Sequence, residues 1–180
     1  MIRKGIVTLF LGAAVAVFLL PALTPQARAQ DTCPAFHAVM QEKLPADIPL
    51  RQGDTWGGEV YAVLGQEVFL GLVSGNDGPQ VKPGTTIIAT GGTYKFDFGD
   101  GNSFTAAANT STAPLIANVP FPLFGTFRNS ERITEGEGRF RFASGNLVQS
   151  GPFIIYSFSP LHGRYNGEVT GNICGVQPAP

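Results

Sequence analysis

The chain has 180 residues, of which 43% are hydrophobic and 14% charged, and its formal net charge is −1. This length fits one domain with a substantial core. The 12 basic residues form no run or patch, which argues against nucleic acid as a partner. With 23 glycines, 14 prolines and 14 phenylalanines, the composition favours short strands joined by tight turns.

The first 29 residues have the pattern of a cleavable signal peptide. Arg3 and Lys4 precede an apolar run over residues 5–23, and residues 27–29 have the A-x-A pattern of a cleavage site. We therefore predict cleavage between Ala29 and Gln30. The mature protein is then secreted or periplasmic, without stable membrane association. An uncleaved membrane anchor is the alternative, because an apolar run of this length nearly spans a bilayer.

Cleavage leaves 151 of the 180 residues and removes 3 of the 12 basic residues, so 9 basic residues remain beside 13 acidic ones. Cys33 and Cys174 lie near opposite ends of this mature chain. Export implies an oxidising compartment, so we expect these cysteines to form a disulfide that brings the two ends of the domain together. Two free thiols or an intermolecular bridge are the alternatives.

Residues 34–50 are the only stretch with helical spacing. The apolar residues that recur there every three or four positions are Ala35, Phe36, Val39, Met40 and Leu44. Pro45 ends the run. We predict a short helix here, and residues 30–54 as an N-terminal helix and linker.

From residue 55 onward the apolar residues alternate with polar ones, which predicts strands. The predicted strands cover residues 55–64, 66–74, 85–90, 94–98, 103–109, 123–129, 132–147, 153–159 and 164–173. Gly65 and the Gly-Asp-Gly-Asn sequence at 99–102 predict hairpin turns. Residues 110–122 are predicted as a loop, and residues 176–180 as a loose tail.

These strands predict a single all-β domain over residues 55–175. A closed barrel and a sandwich are the two architectures that avoid open sheet edges. The terminal cysteines favour a barrel, because closing a barrel pairs the first strand with the last. We therefore predict a calycin-like antiparallel barrel of about eight strands, with a β-sandwich as the alternative.

Residues 133–148, I-T-E-G-E-G-R-F-R-F-A-S-G-N-L-V, carry the one pattern that points beyond a fold class. This segment resembles the G-G-T-G-x-F-R-x-A-x-G signature of plant dirigent proteins and, more loosely, a strand of the allene oxide cyclases. The matching residues are Gly136, Gly138, Phe140, Arg141, Ala143 and Gly145. The resemblance implies an eight-stranded barrel that binds apolar or phenolic molecules and is often trimeric, as in those two families. Secreted bacterial proteins of no assigned function share the pattern.

The motif is structural in those families, so it assigns no catalytic residue. We expect Gly136, Gly138 and Gly145 to lie where a strand bends or a neighbouring backbone approaches closely. Phe140 and Phe142 are expected to share a buried face. Arg139 and Arg141 then lie on the opposite face, either exposed beside Glu135 and Glu137 or inside a lumen in contact with an acidic ligand.

The sequence predicts no catalytic, metal-binding or cofactor-binding residue. His37 and His162 lack the spacing of zinc ligands, and the chain contains no G-x-S-x-G sequence. The F-D-F-G-D-G sequence at 96–101 resembles the W-D-F-G-D-G turn of polycystic-kidney-disease-type sandwich modules. Separately, Asp97, Asp100 and Asn102 offer oxygens for a weak Ca²⁺ site. An ordinary hairpin turn is the favoured interpretation.

Three functions remain open at this point. The favoured one is an exported binding or structural module, not an enzyme, that holds a small apolar ligand. The alternatives are a dirigent-like or cyclase-like enzyme or stereochemical guide, and an adhesion module. A lumen with converging ionisable groups favours the enzyme, whereas a lumen filled by Phe, Leu and Val excludes it. Trp56, Tyr61 and Tyr94 are candidates for a pocket lining, although packing in the core is the favoured role for each.

Overall fold

The computed structural model describes residues 33–81, 86–115, 122–158 and 160–179. Within these ranges the strands are β1 Ala35–Leu44, β2 Trp56–Leu64, β3 Glu67–Asn76, β4 Gln80–Val81, β5 Thr86–Thr90, β6 Thr93–Asp97, β7 Ser103–Pro114, β8 Leu123–Glu137, β9 Ser144–Phe158 and β10 Leu161–Cys174. A 3-10 turn, Gly138–Phe140, separates β8 from β9. The predicted signal peptide and its cleavage site at Ala29 and Gln30 lie outside the described residues.

Eight of these strands close into an antiparallel barrel in the order β1-β2-β3-β6-β7-β8-β9-β10, with β10 paired to β1. The other two strands extend this ring at one end. Asn76 pairs with Thr93 and Gln80 with Ala89 in one unbroken register, so β4 continues β3, and β5 continues β6. The fold is an up-and-down meander. The predicted all-β barrel of about eight strands is confirmed, and the β-sandwich alternative is wrong.

The prediction of a helix within residues 34–50 is wrong, because this segment forms β1. Phe36, Ala38 and Met40 are buried while the residues between them are exposed, which is the period of a strand. β1 is paired along its length with β2 on one side and β10 on the other. Backbone pairing on both edges outweighs the helical spacing of a few apolar residues, and the barrel begins at Ala35 instead of residue 55.

The disulfide between Cys33 and Cys174 forms as predicted. It lies next to the first pair of the β1–β10 ladder, where Ala35 faces Asn172. The covalent link therefore fastens the seam at which the barrel closes.

The bounds of β7 and β8 differ from the sequence-based expectation. Residues 123–129 and 132–137 form one strand, β8, because the pairing with β9 continues from Leu123 to Arg132. Residues 110–114 belong to β7 and pair with β5, so that part of the predicted loop is a strand. Residues 116–121 of the predicted loop lie outside the described ranges.

The interior of the barrel has two different halves. The half next to the disulfide is filled by aromatic rings, and we call it the closed end. The rings that meet there are those of Phe36, Phe69, Phe96, Phe98, Phe104 and Phe140. Phe96 and Phe104 stack at 4.7 Å, and Phe140 reaches Phe104 from the 3-10 turn at 5.4 Å. The opposite half contains a cavity.

Candidate functional site: the lumen cavity

The open half of the barrel encloses a cavity of about 220 Å³, which we call the lumen cavity. Its apolar wall includes Trp56, Ile87, Ala113, Phe127 and Phe153. Its polar lining includes Glu42, Asp77, Ser111, Gln149 and Tyr165. A mainly apolar cavity with a few inward polar groups is the usual form of a small-molecule site.

Glu42 and Tyr165 form one side of the lumen cavity. They are direct partners across the β1–β10 ladder, which places both side chains on the inner face. Glu42 is 5% exposed and Tyr165 8% exposed. Glu42 Oε1 and the Tyr165 hydroxyl have no hydrogen-bond partner among the described residues. Buried polar atoms in proteins are nearly always paired, so two unpaired atoms on a cavity wall point to a ligand or water as their partner.

Asp77 enters the lumen cavity from the connection between β3 and β4. The Tyr94 hydroxyl donates a hydrogen bond to Asp77 Oδ1 at 3.3 Å and lies 3.5 Å from Ser111 Oγ. The Trp56 ring packs against Tyr94 with 5.3 Å between ring centroids. These contacts hold a carboxyl group, a phenol and an indole at the same end of the barrel.

A polar layer lies beneath the lumen cavity, between it and the closed end. Asn129 Nδ2 donates to Gln149 Oε1 at 3.2 Å across the β8–β9 pair. Glu131, two residues further along the inner face of β8, is 2% exposed. Neither of its carboxyl oxygens has a hydrogen-bond partner among the described residues. A carboxyl group is thus buried at the boundary between the polar and the aromatic halves.

The environment of these acids favours their neutral forms. Burial raises the pKa of Glu42 well above its usual value, and repulsion from Asp77 and Glu131 raises it further. Burial also raises the pKa of Glu131, to about 8, although the nearby Asn129 side chain opposes the change, and Asp77 adds to it. The pKa of Asp77 is raised by burial, although the hydrogen bond from Tyr94 opposes the change. Of these three acids, Glu131 therefore keeps its proton to a large extent at neutral pH.

The glycine-rich motif lies at the closed end, away from the lumen cavity. Gly138 has φ +56°, and a Cβ there would lie 2.5 Å from the Gly101 carbonyl oxygen. A Cβ at Gly136 would lie 1.9 Å from the Phe140 carbonyl oxygen, and one at Gly145 would lie 2.1 Å from that of Asn172. Each of these glycines stands where another backbone segment approaches closely. Ala143 packs against the core.

The expectation that Phe140 and Phe142 share a buried face is wrong. Phe140 is fully buried, whereas Phe142 is 64% exposed. The 3-10 turn ends the alternation of a strand between these two residues, so they face different directions.

The arginines of the motif are outside the lumen, so the alternative in which Arg139 and Arg141 contact an acidic ligand there is wrong. Arg139 forms an ion pair with Glu67 at 2.6 Å and lies over the Phe69 ring. Its Nε also donates to the Gln177 carbonyl oxygen at 2.8 Å, and the Gln177 N–H donates back to the Arg139 carbonyl at 2.8 Å. The chain end is thus anchored as far as Gln177.

The remaining candidate residues lie away from the lumen cavity. Asn102 N–H donates to the Gly99 carbonyl at 2.8 Å and Asp100 has φ 51°, which confirms the hairpin turn. Asp97 Oδ1 accepts from the Gly99 N–H at 3.0 Å. Tyr61 is on the outer surface, and so is His37, which faces Glu168 at 3.7 Å.

The His162 ring packs against the Tyr156 ring at a tilt, with 5.2 Å between the ring centroids. Among the described residues, no three His, Cys, Asp or Glu side chains are grouped closely enough to hold a metal ion.

Sequence reasoning identified Trp56 and Tyr94 as pocket candidates but missed the polar residues of the lumen. These are Glu42, Asp77, Glu131, Gln149 and Tyr165. A signal for two of them was present. Glu42 has the same strand parity as Phe36 and Met40, and Glu131 has the same parity as Phe127 and Ile133. A carboxyl group on the apolar face of a strand points into the barrel.

No protein-family model matches the chain, and neither the curated proteins nor the solved structures contain a match. Within the described ranges there is also no helix with the length and apolar character needed to cross a membrane. The geometry of the lumen cavity is therefore the basis for a functional proposal.

Proposed function

We propose that this protein is an exported binding module that holds a small, largely apolar molecule in the lumen cavity. One observation carries the proposal: the barrel is packed solid at the closed end yet hollow at the other, with unpaired polar atoms of Glu42 and Tyr165 on the cavity wall. An engineered apolar cavity of about 150 Å³ accepts benzene, so about 220 Å³ accommodates a ring with a short substituent.

Export is part of this proposal. The signal-peptide pattern of residues 1–29 supports it, and the disulfide between Cys33 and Cys174 is compatible with an oxidising compartment such as the periplasm or the extracellular space. The oligomer that the dirigent-like resemblance implies stays a prediction.

The experiment uses Trp56, the single tryptophan of the chain, which lines the lumen cavity. We expect small phenyl compounds to change its fluorescence in a saturable manner. Ala113→Leu fills part of the cavity and should weaken binding about tenfold, which corresponds to about 1.4 kcal/mol, because the larger side chain takes space that the ligand needs. Thr112→Leu is the matched control, since Thr112 is the exposed neighbour on the same strand. Folded protein whose fluorescence responds to no phenyl compound would contradict the proposal.

A second candidate is a dirigent-like or cyclase-like enzyme or stereochemical guide. One observation favours it: several ionisable groups, Glu42, Asp77 and Tyr165, line the same cavity. A buried acid that keeps its proton near neutral pH can act as a general acid. Recovering a bound compound after incubation distinguishes the two candidates. A binding module leaves the compound unchanged, whereas an enzyme converts it to a product. The Glu42→Gln variant of an enzyme should not form that product.

A further inference from the structure

We propose that the lumen cavity selects an organic cation, namely a protonated amine on a compact apolar body, with the ammonium group at Glu42 and Asp77 and the body against Trp56 and Phe127. This inference rests on the proposed function, because it names the ligand class for the same cavity. Four properties of the lumen support it: its unpaired polar atoms, the charge of its lining, its aromatic walls and the raised pKa values of its buried acids.

The unpaired atoms call for a ligand that donates hydrogen bonds. Glu42 Oε1 is a buried acceptor without a partner, and the Tyr165 hydroxyl beside it offers a second acceptor. An ammonium group carries three N–H donors and no acceptor. It can therefore donate to ionised Glu42 and to the Tyr165 hydroxyl oxygen at once, whereas an ether, ester or carboxylate group has no donor for an ionised carboxyl group.

The charged and titratable groups around the cavity are mostly acids. They are Glu42 on β1, Asp77 after β3, Tyr94 on β6, Glu131 on β8, and Arg164 and Tyr165 on β10. Three of these are carboxyl groups, and among the described residues that line the cavity the one cation, Arg164, is solvent-exposed. Because the carboxyl groups repel one another when ionised, a positive charge between them is favoured over a negative one.

The aromatic walls favour an organic cation over a metal ion. The Trp56 and Tyr94 rings pack at 5.3 Å and the Phe127 and Tyr165 rings at 5.5 Å, so two aromatic pairs belong to the open half of the barrel. Ring faces attract ammonium groups as well as apolar bodies. Within the described ranges, the acids are not grouped as a metal site requires. The carboxyl groups are spread around a space that an organic ion fills.

The raised pKa values of the buried acids predict that the affinity for an organic cation depends on pH. Burial raises the pKa of Glu42, and repulsion from Asp77 and Glu131 raises it further, so an ammonium group that pairs with ionised Glu42 displaces a proton wherever that carboxyl group is protonated. Each proton released on binding strengthens the observed affinity by up to about tenfold per pH unit, until the pH passes the pKa of the free site. A neutral ligand releases no protons and shows no such change.

The test compares three probes of similar size by Trp56 fluorescence at pH 6, 7 and 8: 2-phenylethylammonium, 2-phenylethanol and 3-phenylpropanoate. The ammonium group stays protonated over this range. At pH 8 we expect the ammonium probe to bind at least about tenfold more tightly than the alcohol, which corresponds to one charge-assisted contact. Its Kd should fall several-fold per pH unit from pH 6 to 8, while the Kd of the alcohol stays constant.

Two variants test the assignment to Glu42. Glu42→Gln keeps the size of the side chain and removes its charge, so the ammonium probe should lose about tenfold in affinity and most of its pH dependence. The alcohol should lose much less affinity than the ammonium probe, because it has no charge to pair with Glu42. Glu59→Gln is the matched control, because Glu59 is exposed on the outer face of β2 and should change neither probe. Circular dichroism shows whether each variant is folded, and the three-probe comparison on the unmodified protein tests the inference independently of both.

The outcomes separate this inference from the proposed function. Equal binding of all three probes, or tightest binding of the alcohol, overturns the cation selectivity and leaves a lumen-binding module in place. Tightest binding of the phenylpropanoate also overturns the inference and assigns recognition to Arg164. Absence of any fluorescence response from folded protein overturns both proposals.

Discussion

The carboxyl group of Glu131 lowers the stability of this barrel as the pH rises. Its pKa is about 8 in the folded protein against 4.5 for an ordinary glutamate. Between these two values the folded state holds a proton that the unfolded state has lost. Folding stability therefore falls with increasing pH over this interval, by up to about 1.4 kcal/mol per pH unit, and the effect is complete above the folded pKa.

Replacing Glu131 with glutamine removes this dependence. We expect Glu131→Gln to melt close to the unmodified protein at pH 4.5 and clearly above it at pH 8, because the neutral amide has no charge to bury. Thermal melting followed by circular dichroism at both pH values measures the difference. Glu135→Gln, at an exposed position of the same strand, should change neither melting temperature. A variant that melts at or below the unmodified protein at pH 8 would contradict this account.

The polar residues of the site were predictable only once the strands were placed. Glu42 falls within the predicted helix, where a charged residue is expected on the surface. As part of β1 its alternation with Lys43 and Gln41 places it inside. Asp77 follows a strand and resembles a turn residue, and only the pairing of Gln80 with Ala89 shows that the chain continues along the barrel there.

At the scale of secondary-structure elements, the 3-10 turn after β8 closes one end of the barrel. Its Phe140 ring contacts those of Phe69, Phe98 and Phe104. We expect Phe140→Ala to lower the free energy of unfolding by about 3–5 kcal/mol, through lost burial and a residual cavity. Phe142→Ala, two residues away but exposed, should stay within about 0.5 kcal/mol. Urea denaturation measures both, and equal losses would show that the turn does not seal the core.

The same turn depends on a glycine for two separable reasons. Gly138 has φ +56° and no room for a Cβ, whereas Gly99 has φ +77° and open space around it. Gly138→Ala and Gly99→Ala should both incur the backbone penalty of about 1–2 kcal/mol for this conformation. Gly138→Ala should lower the folding stability more than Gly99→Ala does, because its methyl group would clash with the Gly101 carbonyl oxygen. Equal denaturation midpoints for the two variants would rule out the steric contribution.

Most strands were predictable because alternation and turn residues are local signals. β2, β3, β5, β6 and β10 lie close to their expected positions, and the turns at Gly65 and at 99–102 are where glycine requires them. β1 was not predictable, because the spacing of its apolar residues fits a helix as well as a strand. Only its pairing with β10, far along the sequence, decides between the two. The break between β8 and β9 was missed because the glycines of the motif mark an irregular turn, not a bend within a strand.

At the scale of the whole molecule, closure is the one step that joins distant parts of the chain. Every other strand pair in the ring joins neighbours of the meander, while β1 and β10 come from opposite ends. The terminal cysteines allowed this closure to be predicted. The sequence did not predict which half of the barrel is hollow. The closed end is filled by Phe36, Phe96, Phe104 and Phe140, which come from four separate elements, and no local sequence pattern indicates that these rings are in contact.

The disulfide at this seam should stabilise the barrel without determining its shape. In the chain-entropy model a bridge across such a long loop contributes roughly 4–5 kcal/mol, mainly by restricting the unfolded chain. The ten-residue ladder between β1 and β10 remains when the bridge is absent. We therefore expect Cys174→Ser to lower the thermal stability markedly while the strand signal in circular dichroism stays unchanged below the melting transition.

The lumen cavity provides a second readout for the same variant. Trp56 lies at the open end, whereas Cys174 lies at the far end of β10, so the fluorescence maximum of Trp56 should stay where it is in the unmodified protein. The double variant Cys33→Ser/Cys174→Ser is the control for effects of a free thiol and should melt at the same temperature as Cys174→Ser. Loss of strand signal, or a shift of Trp56 fluorescence in folded protein, would mean that the bridge shapes the barrel in addition to stabilising it. An unchanged melting temperature would mean that the ladder alone secures the seam.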